Sequence, residues 1–173
     1  MIDSRQKLKE ALLIEAELYH KKWYYMFPFN MTEQQVLYKH AYYLRHAEYA
    51  YNTRKIIRFY YLLKLLRIQT RYGISIPLNT VSAGFHIQHL GSVIINENAR
   101  IGTNLKVHPG VVIGASDGKA PTIGDNVYIG PGAKVFGDVT LADKISVGTN
   151  AVVNKSCTTE GALLVGIPAV EKE

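Results

Sequence analysis

The first 72 residues carry the hydrophobic spacing of α-helices. Apolar side chains recur at steps of three and four in residues 4–22, which places them on one face of a helix. Thr32 followed by Gln35 is a capping-box pattern that opens a second periodic run. Residues 53–72 form a third run, and Gly73 suits its end. The spacing therefore predicts three helices.

A six-residue repeat replaces this spacing from Ile95 onwards. The first position of each hexad is aliphatic, and the second is small in most hexads. The step from Ile113 to Ile123 is ten residues, so a four-residue insertion lies between them. The aliphatic positions are Ile95, Ile101, Val107, Ile113, Ile123, Ile129, Val135, Leu141, Val147 and Val153.

A period of six fits neither a helix nor a simple hairpin sheet. It suits a chain in which three hexads close one triangular coil and successive coils stack about 4.8 Å apart. The glycine slot fits the corners of such a coil, where a backbone without a β-carbon turns tightly. The sequence predicts a mainly β fold: a parallel β-solenoid over residues 73–173 behind an α-helical segment over residues 1–72.

Charge changes at the same boundary. The net charge is +6, with 13 basic and 6 acidic residues in 1–72 but 7 and 8 in 73–173. Eleven of the twelve tyrosines lie in the first part. The rings either pack between the helices and against the first coil, or form with nearby cations a cleft for glycan or lipid-linked phosphate at a membrane surface. No nucleic-acid-binding motif accompanies the charge, so we expect no nucleic-acid partner.

Nothing in the composition requires an oxidising compartment. Cys157 is the single cysteine, so no internal disulfide can form. The most hydrophobic run is interrupted by Arg58 and Lys64, which argues against a membrane-spanning helix. We expect a cytoplasmic protein, with peripheral membrane association as an option for the basic segment.

The hexads IGTNLK, IGDNVY, IGPGAK and VGTNAV resemble the hexapeptide-repeat acyltransferases. The blocks HLGSVIINENARIG, KAPTIGDNVYIGPGAKVFGDVTL and LLVGIPA are similar, in that order, to serine acetyltransferases and to relatives that acetylate capsular or surface polysaccharide. The resemblance covers roughly residues 73–170. It implies a left-handed β-helix, a homotrimer with active sites between subunits, acetyl-CoA as co-substrate and no metal.

The catalytic histidine of the resembling enzymes falls on His89. A histidine suits the task because its ordinary pKa of about 6.5 leaves it mostly neutral at pH 7, ready to take a proton from an attacking hydroxyl. Counting back from Ile95, His89 also stands where later hexads carry an aliphatic residue. A local register shift, or a core histidine bonded to a backbone carbonyl, is the alternative interpretation.

Departures from the serine acetyltransferase pattern concern the acceptor. Lys119-Ala120-Pro121 stands where those enzymes have Arg-His-Pro, Gln88 replaces an aspartate, and Ser75-Ile76-Pro77 replaces Asp-Ile-His-Pro. A zwitterion needs fixed opposite charges, and both carboxylates are absent. We therefore expect a saccharide acceptor in polysaccharide biosynthesis, with serine O-acetylation in cysteine biosynthesis as the alternative. The group that orients His89 stays open between a backbone carbonyl, Glu97 and an adjoining subunit.

Further site residues follow from the resemblance and from the insertion, whose Asp117-Gly118 pair is a turn signal. The expected acceptor-binding residues are His86, Gln88, Asp117 and Lys119. The expected coenzyme-binding residues are Gly130, Gly132, Ala133, Lys134, Ala151 and Lys155.

Two other interpretations belong to different classes of protein. One is a non-catalytic solenoid that binds a partner or scaffolds an assembly. The other is a zinc protein in which His86, His89 and His108 bind the metal, although their spacing does not suit it.

Overall fold

The computed structural model describes residues 1–29 and 31–172, and its first part is helical. Helix α1 spans Arg5–Leu18, α2 spans Glu33–Asn52 and α3 spans Arg58–Tyr72. A 3-10 turn, Trp23–Met26, lies between α1 and α2. The prediction of three α-helices is confirmed for this part of the chain.

The helix ends follow local hydrogen bonding. Thr32 Oγ1 accepts the N–H of Gln35 at 3.2 Å, and Gln35 Oε1 accepts the N–H of Met31 at 2.8 Å, so the capping-box pattern does start α2. The predicted start of the third helix near residue 53 is wrong. Arg54 adopts a left-handed backbone with φ 54°, which ends α2 and delays α3 by several residues.

The rest of the described chain contains short strands joined by turns and loops. They are β1 Ile74–Ser75, β2 His86–Ile87, β3 Val93–Ile95, β4 Arg100–Ile101, β5 Lys106–Val107, β6 Val111–Gly114, β7 Thr122–Ile123, β8 Tyr128–Ile129, β9 Lys134–Phe136, β10 Thr140–Leu141, β11 Ser146–Val147, β12 Val152–Val153, β13 Leu163–Gly166 and β14 Ala169–Glu171.

These strands form three faces of a parallel β-solenoid, as the six-residue repeat predicts. One face has the order β1-β3-β6-β9-β12, the second β10-β7-β4, and the third β14-β13-β11-β8-β5-β2. Every pairing is parallel except that of β13 with β14, which turns the chain back at the last coil. The aliphatic residues of the first hexad position are all buried, so each coil stacks its apolar side chains on those of the next.

The glycine slot lies at the coil corners, but for a different reason from the one expected. A β-carbon on Gly124 would lie 2.9 Å from the carbonyl carbon of Ala142, and one on Gly130 would lie 3.0 Å from the amide nitrogen of Thr149. The slot is therefore small because the next coil passes close by. Left-handed backbone, with φ from 56° to 60°, falls two residues later at Asn104, Asn126, Lys144 and Asn150.

The helical segment packs onto the solenoid through shared buried side chains. Tyr19 is fully buried, and its hydroxyl accepts the N–H of Ile87 in the solenoid at 2.9 Å. Tyr25 and Tyr38 are also buried, whereas Trp23 is 81% exposed. Part of the aromatic segment thus packs as expected. The division into separate units at residues 72 and 73 stays a prediction.

A buried arginine joins the helices to the first coil. Arg45 donates to Glu15 of α1 at 2.8 Å and to Glu48 of α2 at 2.9 Å. It also donates to the carbonyl oxygens of Val81 at 2.8 Å and Ser82 at 2.7 Å. All three charged side chains are at most 2% exposed. This network fixes the position of the helical segment on the solenoid.

No helix within residues 1–29 and 31–172 has the length and apolar content that would let it span a membrane.

Replacing Arg45 with leucine should lower the free energy of unfolding by about 3–5 kcal/mol, because it leaves the buried carboxylates of Glu15 and Glu48 without their cation. Urea unfolding followed by circular dichroism measures the change. Glu160→Gln is the matched control, since Glu160 pairs with Lys144 on the exposed surface and its loss should barely matter. Equal, small effects of the two substitutions would contradict the role given to Arg45.

A second prediction concerns pH. His40 is fully buried, and burial together with the charge of Arg45 lowers its pKa to about 3. The unfolded chain takes up a proton on this ring near pH 6.5, well before the folded chain does, so stability is lost as the pH falls below that value. His40→Leu should reduce the loss of unfolding free energy between pH 7.5 and pH 5 by about 2 kcal/mol.

The comparison variant for His40 is His20→Asn, because His20 is exposed and already has a left-handed backbone that asparagine tolerates. Urea titrations of each variant at both pH values give the difference. A pH dependence in His40→Leu as steep as in the unchanged protein would refute this assignment.

Candidate active site

His89 lies in an enlarged corner of the first coil. Ile87 pairs with Val107 on one face, and Val93 pairs with Val111 on the next. Five residues lie between Ile87 and Val93, whereas three lie between Val107 and Val111. The first corner therefore carries two extra residues. Because the strands on both sides keep their register, the extra chain bulges outwards.

This bulge corrects the hexad count. The inward position of the first coil is Ile87, which is fully buried, and not His89. The side chain of His89 is 64% exposed, so the interpretation of a core histidine is wrong and the register shift is real. Gly91 allows the bulge to close, because a β-carbon there would lie 2.8 Å from Cβ of Pro109.

A carboxylate from α2 lies beside His89. Oε2 of Glu33 is 3.3 Å from Nδ1 of His89, and Oε1 accepts the N–H of Leu90. This carboxylate, and not that of Glu97, is the acidic group at the ring. Glu97 is exposed on the turn between β3 and β4, where its carbonyl accepts from Arg100. The only sequence signal near Glu33 is the capping box, which indicates a helix start and no function.

His86 and Gln88 bind each other. Nδ1 of His86 lies 3.0 Å from Nε2 of Gln88, and the ring meets Tyr19 edge-on at 4.8 Å between centroids. Burial lowers the pKa of His86 to about 4, with further contributions from Lys106 and two neighbouring histidines. The ring is neutral near pH 7 and its Nδ1 can accept the amide proton. Acceptor binding by this pair stays a prediction.

A second histidine, His108, lies one coil further along beside His89. The two ring centroids are 6.2 Å apart, and Nε2 of His108 lies 3.1 Å from the hydroxyl of Tyr128. Burial and the neighbouring His89 lower the pKa of His108. On the same face, a cavity of about 310 Å³ is lined by His86, Lys106 and Tyr128 among others. Sequence reasoning missed Tyr128, since nothing in its hexad marks it as unusual.

The insertion loop folds as a tight hairpin. Ser116 and Lys119 exchange two backbone hydrogen bonds of 2.9 Å each across the Asp117-Gly118 turn. The Lys119 ammonium pairs with Asp138 at 2.7 Å, and both side chains are exposed. The turn prediction is correct. The structure does not bring this loop into the cluster around His86 and Gln88, so a role in acceptor binding stays a prediction.

The coenzyme candidates lie on later coils. Gly130 stands two coils beyond Gln88 in the same column, because Ile87, Val107 and Ile129 are in register. The side chains of Ala133 and Ala151 point into the core, with at most 1% exposed.

Hydrogen bonding already occupies much of this surface. The amide N–H groups of five candidates donate to carbonyls within the solenoid; these are Gly130, Gly132, Ala133, Lys134 and Ala151. The Lys134 ammonium donates to the carbonyls of Gly110 and Gly132, at 2.9 and 2.5 Å. Lys155 is exposed. Coenzyme binding by these residues stays a prediction. Because their amides are already bonded, the coenzyme would have to contact backbone carbonyls or side chains, or fit the surface by shape.

The three-histidine zinc arrangement is not formed. Within residues 1–29 and 31–172, no group of three or more His, Cys, Asp or Glu side chains is placed to hold a metal ion.

Comparison with known proteins identifies the family. No protein-family model matches the chain. The serine acetyltransferase of Helicobacter pylori is 36% identical over 119 residues, which are 65% of this chain and 69% of that protein. The chain belongs to the serine acetyltransferase family. Membership confirms the resemblance seen in the repeat.

Other members of the family are longer. The Staphylococcus xylosus serine acetyltransferase is 39% identical over 116 residues, or 63% of this chain and 53% of the relative. The chain thus spans about half the length of that relative. In the Mycobacterium tuberculosis enzyme the matched 96 residues are 42% of the protein.

Solved structures of the family share the fold. A serine acetyltransferase in complex with cysteine superposes with a TM-score of 0.77 at 17% identity, covering 98% of this chain and 71% of that one. The soybean apoenzyme gives a TM-score of 0.74 at 23% identity, covering 96% and 69%. The helices and the solenoid are therefore arranged as in these relatives.

Proposed function

We propose that this protein transfers the acetyl group of acetyl-CoA to the hydroxyl of serine, with His89 as general base. The observation that carries the proposal is the exposed imidazole of His89, which lies on the bulged corner with a carboxylate at its Nδ1, in a member of the serine acetyltransferase family. A related structure with a TM-score of 0.72 holds CoA, and a soybean structure holds serine. These two complexes support acetyl-CoA and serine as the substrates.

The chemistry follows from the position of His89. Its Nε2 takes the proton of the acceptor hydroxyl while the oxygen attacks the thioester carbonyl. The carbon–sulfur bond then breaks, the acetyl group stays on the acceptor oxygen, and the proton passes to the departing sulfur of coenzyme A. The homotrimer implied by the resemblance would place neighbouring subunits beside this corner and along the coils that carry Gly130.

A saccharide hydroxyl is the second candidate acceptor. It is favoured by Gln88, which stands where the family has an aspartate, and by the neutral His86 bonded to it. The case against serine is nevertheless weaker than the aligned positions suggest, because Glu33 brings a carboxylate to the site from outside the solenoid. The family relationship supports serine as the first candidate acceptor.

Thiol release from acetyl-CoA tests the acceptor. We expect turnover with serine that exceeds turnover with a panel of monosaccharides and oligosaccharides, and a loss of about 10²- to 10⁴-fold in His89→Ala because the general base is gone. Glu160→Gln serves as the control for loss of an exposed polar side chain, since Glu160 pairs with Lys144 on the surface and contacts none of the site residues. Turnover with the sugars alone would replace serine by a saccharide, and unchanged turnover in His89→Ala would remove His89 from the mechanism.

Coenzyme binding separates an enzyme from a scaffold. Coenzyme A at about 100 times its dissociation constant should stabilise the folded protein by about 2.7 kcal/mol and raise its melting temperature. His89→Ala should keep this rise, because the imidazole acts in chemistry and not in coenzyme binding. Differential scanning calorimetry with and without coenzyme A measures it. A melting temperature that does not respond in either protein would support the non-catalytic solenoid.

A further inference from the structure

Glu33 makes two contacts with the corner that carries His89. One carboxylate oxygen lies 3.3 Å from Nδ1 of the imidazole, and the other accepts the backbone N–H of Leu90. The two contacts hold both the ring and the chain immediately after it. No second acidic side chain contacts this ring among the described residues; the other titratable group facing it is His108, at 6.2 Å between centroids.

We propose that Glu33 is the positioning residue of the site: its carboxylate accepts the proton on Nδ1 of His89 and so keeps Nε2 unprotonated and free to act as the base. The inference rests on the proposed function of His89. A neutral imidazole carries one proton, on either Nδ1 or Nε2. The hydrogen bond that one of these nitrogens makes decides which of them holds the proton. A carboxylate can only accept, so it selects the Nδ1–H form.

The same carboxylate stabilises the next state of the reaction. When Nε2 takes the acceptor proton, the ring becomes an imidazolium, and a negative charge at Nδ1 favours that cation. Glu33 is 40% exposed, so water screens this effect in the free protein. A bound coenzyme and acceptor would exclude part of that water and strengthen it.

The start of α2 is built to hold Glu33 in place. Thr32 caps the helix, and Gln35 donates to the carbonyl oxygens of Tyr24, Tyr25 and Phe29. These bonds tie the helix start to the preceding loop. Glu33 also lies in the first helical turn, where the backbone amides favour a negative charge. A side chain fixed in this way can orient its partner with little loss of conformational entropy.

This arrangement replaces a group that the solenoid lacks. The carboxylate implied by the family resemblance aligns with Ser75-Ile76-Pro77, which has no acidic side chain. Glu33 comes instead from the helical segment, 56 residues before His89. The helices are therefore part of the active site in this chain, in addition to covering the end of the solenoid.

Glu33→Gln tests the proposal, because the amide keeps the size of the side chain but can also donate to Nδ1 and select the wrong tautomer. We expect kcat for acetyl transfer to serine to fall by about 10- to 100-fold with KM for acetyl-CoA nearly unchanged. In the His89→Ala background the same change should have no further effect on turnover. Glu160→Gln, which loses an exposed ion pair on the last coils, is the matched control and should keep full activity.

A spectroscopic measurement makes the test independent of turnover. The ¹⁵N chemical shifts of the His89 ring, assigned by comparison with His89→Ala, should show the Nδ1–H form in the unchanged protein and a larger share of the Nε2–H form in Glu33→Gln. A purely structural role for Glu33 would lower the melting temperature and leave the tautomer and kcat as they were, which would overturn the proposal.

The two proposals fail in different ways. Full activity in Glu33→Gln together with an inactive His89→Ala would overturn the role of Glu33 alone. Full activity in His89→Ala would overturn the proposed function, and the tautomer measurement would then still decide whether Glu33 sets the protonation of His89.

Discussion

The register of the stacked coils is the constraint on which this structure depends. Each coil must present its aliphatic side chains at the same depth as the coils above and below, because the parallel strands are hydrogen-bonded in register. Extra residues cannot enter the core without breaking that ladder, so they leave at the corners. The bulge after Ile87 and the Asp117-Gly118 hairpin are two such exits. The first exposes His89, which a regular hexad would have buried.

The helical segment contacts the bulged corner that exposes His89. Arg45 ties α1 and α2 to the first coil through buried charges, and Tyr19 reaches the strand that leads into His89. These contacts fix the start of α2 above the enlarged corner, where Glu33 meets the imidazole. The contacts that stabilise the helical segment on the solenoid thus also set the geometry of the site. A small shift of the helices would move the carboxylate of Glu33 away from His89.

The family relationship and the residues of the site favour different acceptors. The relatives are serine acetyltransferases, yet Gln88 lacks the charge expected for an amino-acid ammonium group. The aligned solenoid positions, Gln88 and Ser75-Ile76-Pro77, carry no carboxylate, whereas the folded site includes that of Glu33. The contact between Glu33 and His89 supplies one acidic group to the site, and this group comes from α2 and not from the solenoid. The charge balance of a site is a property of the folded surface, and an alignment of one element records only part of it.

The sequence by itself determined the repeat, the parallel solenoid, the three helices, the insertion turn and the candidacy of His89, because each depends on local spacing or on a motif that survives in the linear chain. It misplaced the start of α3, since a single left-handed residue, Arg54, decides it. It also counted His89 into an inward hexad position that Ile87 occupies instead, and it missed Glu33. Only the tertiary structure could decide these, because the bulge appears when neighbouring coils are set in register, and Glu33 meets His89 across 56 residues of chain. A contact of that range leaves no period in the sequence.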